Sequence, residues 1–255
     1  MRTSLGRYVA YLAFMVFIVY GYYHLNLPLI RIPEGLLAMG DLIFNRMLPP
    51  DVAYVSTKLP YPLIETLSMA AVGAFIGVLL SVPLAWFASF NLTPNRRILY
   101  PIARLILVVS RSIHEIVWAM LLVSIFGFGP LPGMLTLIFV YIGFAGKLFS
   151  ENIEAIDMGT VEAMRAVGAN RVKVMCIGVI PQVMPVWVGI SIYGWDVVLR
   201  ASSILGLVGA GGIGIQLRAS IESLRYHRVG AILIIILFLV SLSEVASDQI
   251  RKRVT

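Results

Sequence analysis

Long apolar runs separated by short polar stretches dominate this chain of 255 residues. Several runs reach roughly 18 residues with hardly a charge, which is the length a helix needs to cross about 30 Å of hydrocarbon. The strands of a membrane barrel would alternate with period two, whereas these runs are continuous. The pattern predicts an all-α, polytopic membrane protein with about six transmembrane helices. The predicted membrane segments are residues 8–25, 61–90, 101–126, 132–150, 174–198 and 229–248.

The stretch between the first two runs is more polar and rich in proline. Within it, residues 35–46 have the pattern of a short amphipathic helix at the membrane surface. The apolar run behind Arg2 and Arg7 is longer than the apolar region of an ordinary signal peptide, and no small-x-small site follows it, so it predicts a retained helix. We therefore expect residues 1–60 to hold an N-terminal transmembrane helix and an external amphipathic segment, and residues 61–255 to form the core.

Composition supports an integral membrane protein, since 59% of the residues are hydrophobic, 13% are charged and the mean hydropathy is +0.91. A soluble domain would need more polar surface to cover its core. The net charge of +7 would hint at nucleic acid in a soluble protein, but no basic stripe with interleaved aromatics is present. No nucleic-acid partner is expected, and the lipid bilayer is the predicted environment.

The positive residues predict the orientation of the chain. With six spans they fall on one side, and the positive-inside rule makes that side cytoplasmic. The prediction is a multi-pass protein of a bacterial-type inner (plasma) membrane, with cytoplasmic N- and C-termini and residues 150–173 also inside. The clusters are Arg2 with Arg7, Arg96 with Arg97, and Arg251, Lys252 and Arg253.

The sequence predicts neither a metal site nor an enzyme. Cys176 is the only cysteine, and His24, His114 and His227 are far apart without the spacing of metal ligands. No phosphate-binding loop of the Walker A type occurs, so the chain cannot bind ATP through such a loop. We therefore expect no cofactor in this chain.

The most specific pattern lies between the fourth and fifth predicted spans, where Glu162-Ala163-Met164 precedes Gly168. Thr160 is expected to be the N-cap, Glu162 favours the positive end of the helix dipole, and Gly168 can adopt the left-handed C-cap conformation. The prediction is a helix of about two turns. Its small apolar face would consist of Ala163, Met164 and Val167.

This segment, which continues to Ile180-Pro181, resembles the EAA loop of ABC-importer permeases, whose pattern is E-A-A, three residues, G, nine residues, I-x-L-P. Two positions depart from the pattern, because Met164 replaces the second alanine and Gly178 stands where isoleucine is expected. The resemblance implies a coupling helix, with Glu162, Ala163, Met164, Val167 and Gly168 docking on a separate ATP-binding cassette subunit, which would bind ATP and Mg²⁺. The alternative is an ordinary amphipathic connector between two spans.

The wider chain resembles the phosphonate-importer permeases of that superfamily. The resemblance implies a type I permease fold, a permease homodimer, an extracytoplasmic substrate-binding protein, and alternating-access import of phosphonates or related phosphorus oxyanions. The blocks that carry it are Arg111-Ser112-Ile113-His114-Glu115, Gly127-Phe128-Gly129-Pro130, Gly168-Ala169-Asn170, Ile180-Pro181-Gln182-Val183-Met184-Pro185 and the glycine-rich residues 206–214.

Charged residues inside predicted spans are candidates for the translocation path, because a charge near the centre of a membrane helix costs about 2.5–3.5 kcal/mol. Arg111, with His114 and Glu115 nearby, could help an anion cross, or Arg111 and Glu115 could form a buried pair four residues apart. Asp196 and Arg200 repeat this spacing, which favours an internal pair slightly. Our hypothesis is that Arg111 and Arg200 line the path.

Residues 209–214 satisfy the nucleotide-binding pattern G-x-G-x-x-G, but no strand–helix context surrounds them. A glycine-rich break between two membrane segments fits close packing or a turn lining a cavity, so Gly209, Gly211 and Gly212 are candidates for a gate.

Three alternatives stay open at this stage. The chain could be an ABC permease for another small solute, or a stand-alone secondary transporter using Arg111, His114 and Glu115 as an ion relay. It could also be a membrane enzyme acting on lipid head groups. The second leaves the EAA pattern unexplained and shows no internal repeat, and the third lacks a catalytic constellation.

Overall fold

Every regular element in the described part of the chain is a helix, which confirms the all-α prediction. The computed structural model describes residues 2–25, 28 and 31–254. Contacts divide the chain into two units, residues 1–48 and residues 49–255.

The first unit contains helix α1 (Arg2–His24) and helix α2 (Ile32–Asp41), which continues as a π-helical segment (Leu42–Met47). The predicted surface helix, residues 35–46, falls on α2 and this segment. Asn45 and Arg46 donate hydrogen bonds of 2.9 and 3.0 Å to the Asp41 carboxylate, and these bonds lower the pKa of Asp41. The unit thus contains one apolar helix, α1, and a polar cluster at the end of α2.

The second unit carries the remaining helices, which form a membrane bundle with short helices at its ends. Their bounds are α3 Val52–Lys58, α4 Pro60–Phe87, α5 Leu99–Ser112, α6 Glu115–Phe126, α7 Pro130–Glu154, α8 Met158–Ala166, α9 Arg171–Lys173, a π-helical segment Val174–Val179, α10 Ile180–Leu205, a 3₁₀ turn Gly206–Val208, α11 Ile213–Glu222 and α12 Tyr226–Val254. The predicted functional boundary at residue 60 stays a prediction.

Four helical stretches of the described chain are long and apolar enough to cross a membrane, and a fifth results if the bent pair α5–α6 counts as one span. The four are Pro60–Phe87, Pro130–Glu154, Val174–Val208 and Tyr226–Lys252. The first predicted span, residues 8–25, coincides with helix α1, which is not among them, so its crossing stays a prediction. The prediction of a continuous third span was wrong, because α5 and α6 meet at an angle of 94°.

Helix α7 forms the centre of the bundle, where it packs on α4, α5, α6 and α10. Small residues allow this close packing. A Cβ atom built on Gly77 of α4 would lie 2.6 Å from Cβ of Tyr141, and one built on Gly194 of α10 would lie 2.5 Å from its hydroxyl. Tyr141 itself is 1% exposed and donates a hydrogen bond to the carbonyl of Ser191. The glycines thus let three helices share one buried aromatic side chain.

One end of the bundle joins the α4–α5 loop to the end of α7. The Glu154 carboxylate accepts hydrogen bonds from the backbone N–H of Phe90 at 2.8 Å and from the Arg104 guanidinium at 2.6 Å. Arg104 also donates to the carbonyl of Ala88 at 2.8 Å. This network fixes the chain immediately before helix α8.

The opposite end of the bundle is tied together by α3. Asp51 caps α3 and lies 3.4 Å from the Arg228 guanidinium, which also stacks on the Tyr54 ring at 4.5 Å. The Tyr54 hydroxyl donates to Gln216 of α11 at 2.8 Å. Residues 49–58 therefore belong structurally with the bundle.

Candidate functional site

Helix α8 contains the predicted coupling residues and begins at an aspartate. The side chain of Asp157 accepts a hydrogen bond from the backbone N–H of Gly159 at 2.9 Å, so Asp157 is the N-cap. The expectation of an N-cap at Thr160 was wrong, because Thr160 lies inside the first turn. A carboxylate at this position satisfies a free N–H group and also favours the positive end of the helix dipole.

Gly168 terminates helix α8 in the left-handed conformation, as the sequence predicts, two residues after the last helical residue, Ala166. Gly168 has a φ of +79°, and its N–H donates to the carbonyl of Arg165 at 3.0 Å. The N–H of Ala169 donates to the carbonyl of Met164 at 3.0 Å. These two bonds form a Schellman cap, for which glycine is preferred since it carries no Cβ.

The exposed face of α8 differs from the predicted docking face at one residue, Met164. Glu162 and Ala163 are exposed, and Val167 is 84% exposed. Met164, which was expected beside them, is half-buried and packs on the core with the fully buried Val161. The outward apolar surface therefore consists of Ala163 and Val167, while Met164 anchors the helix to its own protein.

The two departures from the EAA pattern contact each other. A Cβ atom built on Gly178 would lie 3.0 Å from the sulfur of Met164. A larger residue at position 164 is thus accommodated by a smaller residue at position 178, as dense packing requires. Gln182 completes the attachment, because its side chain accepts from the Asp157 N–H at 2.9 Å and donates to the Gly178 carbonyl at 2.6 Å.

The predicted charged cluster lies at the break between α5 and α6. Arg111 is in the last turn of α5, and Glu115 is in the first turn of α6. They share no helix face and form no ion pair, so the expected pair four residues apart is absent. Each charge instead complements the dipole of its own helix end. His114 caps α6, because its ring nitrogen Nδ1 accepts from the Ile116 N–H at 3.3 Å.

The second charged pair is also not formed. Asp196 is 8% exposed and accepts hydrogen bonds from Ser243 at 2.8 Å and from Ser247 at 2.9 Å, both on α12. Trp195 donates its indole N–H to Ser243 at 2.9 Å. Arg200 is exposed and has no ion-pair partner within the described residues. The prediction that Asp196 pairs with Arg200 was thus wrong. Asp196 instead links α10 to α12 through two serines, and nothing in the sequence pattern around these serines indicated this contact.

The candidate gate is a buried turn. Gly209, Gly211 and Gly212 have φ angles of +89°, +86° and +73°, which L side chains rarely adopt. The turn is held from outside by two hydrogen bonds, from the N–H of Gly129 to the Gly209 carbonyl at 3.1 Å and from the N–H of Ile213 to the Thr66 hydroxyl at 2.8 Å. It therefore joins α4, the start of α7 and the end of α10.

Two of the arginines that follow this turn form ion pairs. Arg218 lies 2.7 Å from Glu222, and Arg228 pairs with Asp51. Arg225 is exposed. The contacts of Arg228 with Asp51 and Tyr54 give it a structural role, because they join α12 to α3.

Comparison with known protein families identifies the family of this chain. Residues 81–255 match the family described as binding-protein-dependent transport system inner membrane component. The chain belongs to this family. The predicted permease identity is thereby confirmed, while the role of the EAA-like segment stays a prediction.

Curated relatives narrow the comparison within the permeases. The chain is 39% identical to the phosphite transport system permease protein PtxC of Stutzerimonas stutzeri over 86% of this chain and 78% of that protein. It is 39% identical to the phosphate-import permease protein PhnE of Mycolicibacterium smegmatis over 83% of this chain and 40% of that protein. The putative cryptic phosphonate transport permease PhnE2 of Escherichia coli strain K12 is 40% identical over 47% of this chain and 98% of that protein.

Solved structures share the fold of this permease. The inward-facing MetNI methionine ABC transporter has a TM-score of 0.68 at 24% identity, covering 77% of this chain and 96% of that chain. A bacterial ABC transporter involved in import of the acidic polysaccharide alginate also has a TM-score of 0.68, at 14% identity, covering 99% of this chain and 98% of that chain. The predicted fold class, that of type I importer permeases, is confirmed.

Proposed function

We propose that this permease forms the translocation path of an ATP-driven importer for phosphorus oxyanions, such as phosphite, phosphate or phosphonates. One observation carries the substrate class: relatives named for phosphite and for phosphate import are each 39% identical over more than four fifths of this chain. Tetrahedral oxyanions are well matched by guanidinium groups, which this permease carries within its spans at Arg111 and Arg200.

Helix α8 is the proposed contact with a separate ATP-binding cassette subunit, which would bind ATP and Mg²⁺. Its exposed side presents Glu162, Ala163 and Val167, and both of its ends are capped. Its inner side is attached through Val161 and Met164. A short rigid helix exposed on one side and anchored on the other can transmit a push from a partner to the membrane bundle.

The proposed orientation places α8 in the cytoplasm. The α4–α5 loop, which contains Arg96 and Arg97, lies at the same end of the bundle as α8, since Phe90 of that loop bonds to Glu154. Two positive residues in this short loop favour the cytoplasmic side. The N- and C-termini would then be cytoplasmic too, and the extracytoplasmic binding protein would meet the opposite end.

A homodimer is the proposed state of the permease in the complex. Arg111 and Arg200 are exposed on the single protomer, and facing a charge toward lipid costs about 2.5–3.5 kcal/mol near a helix centre. A second copy facing these side chains across an aqueous path would remove that cost. The candidates for the translocation path are Arg111, His114, Glu115, Asp196 and Arg200. The hydrogen bonds of Asp196 to two serines of α12 favour a structural role for this residue.

The glycine-rich turn is the proposed fixed part of the gate. Gly209, Gly211 and Gly212 are buried, so we assign them to an anchor around which the exposed helices move. ATP binding would close the ATPase pair, displace both α8 helices and turn the two bundles to face outward. Hydrolysis would return them to the inward-facing state.

The test is uptake and ATP hydrolysis by the complete complex in proteoliposomes, with its binding protein and phosphite, phosphate or methylphosphonate. We expect loaded binding protein to stimulate ATPase activity, and Glu162→Arg to reduce this stimulation about tenfold or more and to weaken assembly. Glu222→Arg is the control for assembly with the ATPase, measured without binding protein, because Glu222 is also exposed but lies at the opposite end of the bundle from α8.

Full stimulation of Glu162→Arg would contradict the assignment of α8. A wild-type complex that hydrolyses ATP but takes up none of the three oxyanions would contradict the substrate class. Uptake by the chain alone down an ion gradient would contradict the dependence on an ATPase.

A further inference from the structure

A cavity of about 330 Å³ lies between α5 and α7. Its lining contains three cationic side chains and one hydroxyl group. The residues that line it are Arg104, Leu107, Val108, Arg111, Ser112 and Lys147. Of these, the sequence singled out Arg111 alone.

Two glycines of α7 bring these side chains together. A Cβ atom on Gly143 would lie 2.8 Å from Cγ of Arg111, and one on Gly146 would lie 2.6 Å from Cδ2 of Leu107. Because both positions lack side chains, α5 lies directly against α7. Lys147, which follows Gly146, is thereby placed in the same cavity as the end of α5.

The charges around the cavity leave Arg111 without a partner. Arg104 lies 2.6 Å from Glu154, and Lys147 lies 2.5 Å from Glu151. Neither carboxylate lines the cavity. Arg111 has no ion pair among residues 2–25, 28 and 31–254, so the lining keeps one uncompensated positive charge, with two further cations nearby.

We propose that this cavity is a binding site for a phosphorus oxyanion group, held by Arg111 with support from Arg104 and Lys147. A guanidinium offers two parallel N–H donors to two oxygens of a tetrahedral anion, and Lys147 and Ser112 add single donors. The volume exceeds that of a phosphite or phosphate ion, which leaves room for water or for the organic group of a phosphonate. The identification of the group as cargo rests on the proposed function.

The phosphate of an anionic lipid presents the same chemistry to a basic cavity between membrane helices. Free oxyanion and lipid head group are therefore the two sources that an experiment has to separate. Maltoside detergent micelles contain no phosphate, whereas phosphatidylglycerol vesicles supply it as lipid.

The experiment uses accessibility of a thiol in the complete complex. In a Cys176→Ser background, Ser112→Cys places a thiol in the cavity, and Ser124→Cys provides a matched control. Both serines are exposed, and each donates to the carbonyl four residues before it at 2.8 Å. The rate of modification by a cationic methanethiosulfonate reagent is measured on the permease band, in micelles with added phosphite, phosphate or methylphosphonate, and in phosphatidylglycerol vesicles without them.

We expect a bound oxyanion to slow modification at position 112 about fivefold or more, saturably, without affecting position 124. Arg111→Gln and Lys147→Gln should remove this protection, whereas Arg97→Gln, an exposed arginine outside the cavity, should keep it. Protection in micelles by added oxyanion identifies the free ion. Protection in phosphatidylglycerol vesicles alone, relieved by Arg111→Gln, identifies the lipid.

Equal rates at position 112 with and without every oxyanion, in micelles and in vesicles, would overturn the proposal. The uptake assay keeps this result separate from the proposed function. Uptake without protection contradicts the site alone, whereas protection without uptake contradicts the import of oxyanions and leaves the site in place.

Discussion

Two regions of the permease end a helix in the same way and differ in everything around that end. At α8, Gly168 has a φ of +79°, and Ala169 donates to the carbonyl five residues before it. After α10, Gly209 has a φ of +89°, and Ala210 donates to the carbonyl of Leu205, again five residues before it. A Cβ on Gly168 would meet no atom within 4 Å, whereas one on Gly209 would meet the ring of Phe128.

The difference separates local from tertiary requirements for glycine. Both caps need a residue that adopts a left-handed conformation. In the turn after α10, glycine is also needed because neighbouring residues occupy the space. At Gly211 the obstacle is backbone, since a Cβ would lie 2.7 Å from Cα of Pro130. The end of α8 thus has open space around it, while the glycine-rich turn is part of the core.

The largest predicted effect is that of Gly211→Ala compared with Gly168→Ala. A non-glycine residue in this conformation costs about 1–3 kcal/mol at either site, and overpacking against backbone adds about 1–3 kcal/mol at Gly211 alone. Thermal denaturation of the purified complex, followed by size exclusion of the permease, should show the larger loss for Gly211→Ala. Gly127→Ala is a second control, because its φ is +83° in open space. Equal losses at all three glycines would show that crowding has no part in the difference.

A crowded glycine in the coupling region sharpens the comparison, because its neighbour is a flexible side chain. Gly178→Ile should destabilise the permease by about 1–3 kcal/mol, since the sulfur of Met164 occupies the space. Truncation of a fully buried methionine to alanine costs about 2–5 kcal/mol of stability. Met164→Ala should cost less than the upper end of this range, because Met164 is partly exposed. The double variant restores the pattern of the family, and its loss should be smaller than the sum by about 1–2 kcal/mol. Additive losses would show that the two positions do not compensate each other.

The smallest predicted effect is at the polar break between α5 and α6. His114→Ala removes a long capping bond of 3.3 Å at an exposed position, so the loss of stability should be about 0.5 kcal/mol. His114→Asp should restore it, because a carboxylate is a better N-cap. A loss of stability as large as that of Gly211→Ala would show that His114 contributes more than one exposed capping bond.

The sequence by itself determined the class, the family and most local boundaries of this protein. Apolar runs identify membrane helices because each run has to satisfy its backbone internally, so length and composition are sufficient. The cap at Gly168 was predictable because its hydrogen bonds involve residues within five positions. The EAA spacing identified the permease for the same reason, since a short helix and its end are local features.

Tertiary structure decided which side chains meet. The sequence pattern did not indicate the break after Ser112, because the apolar run continues on both sides of a short polar cluster. The break places Arg111 and Glu115 on different helices, although their spacing fits one helix. Asp196 found its partners about 50 residues away on α12, and Met164 turned inward because Gly178 left room for it. Arg104 and Lys147 join Arg111 only because Gly143 and Gly146 let two helices touch. Such contacts depend on how closely helices approach, and periodicity along a single chain contains no information on that distance.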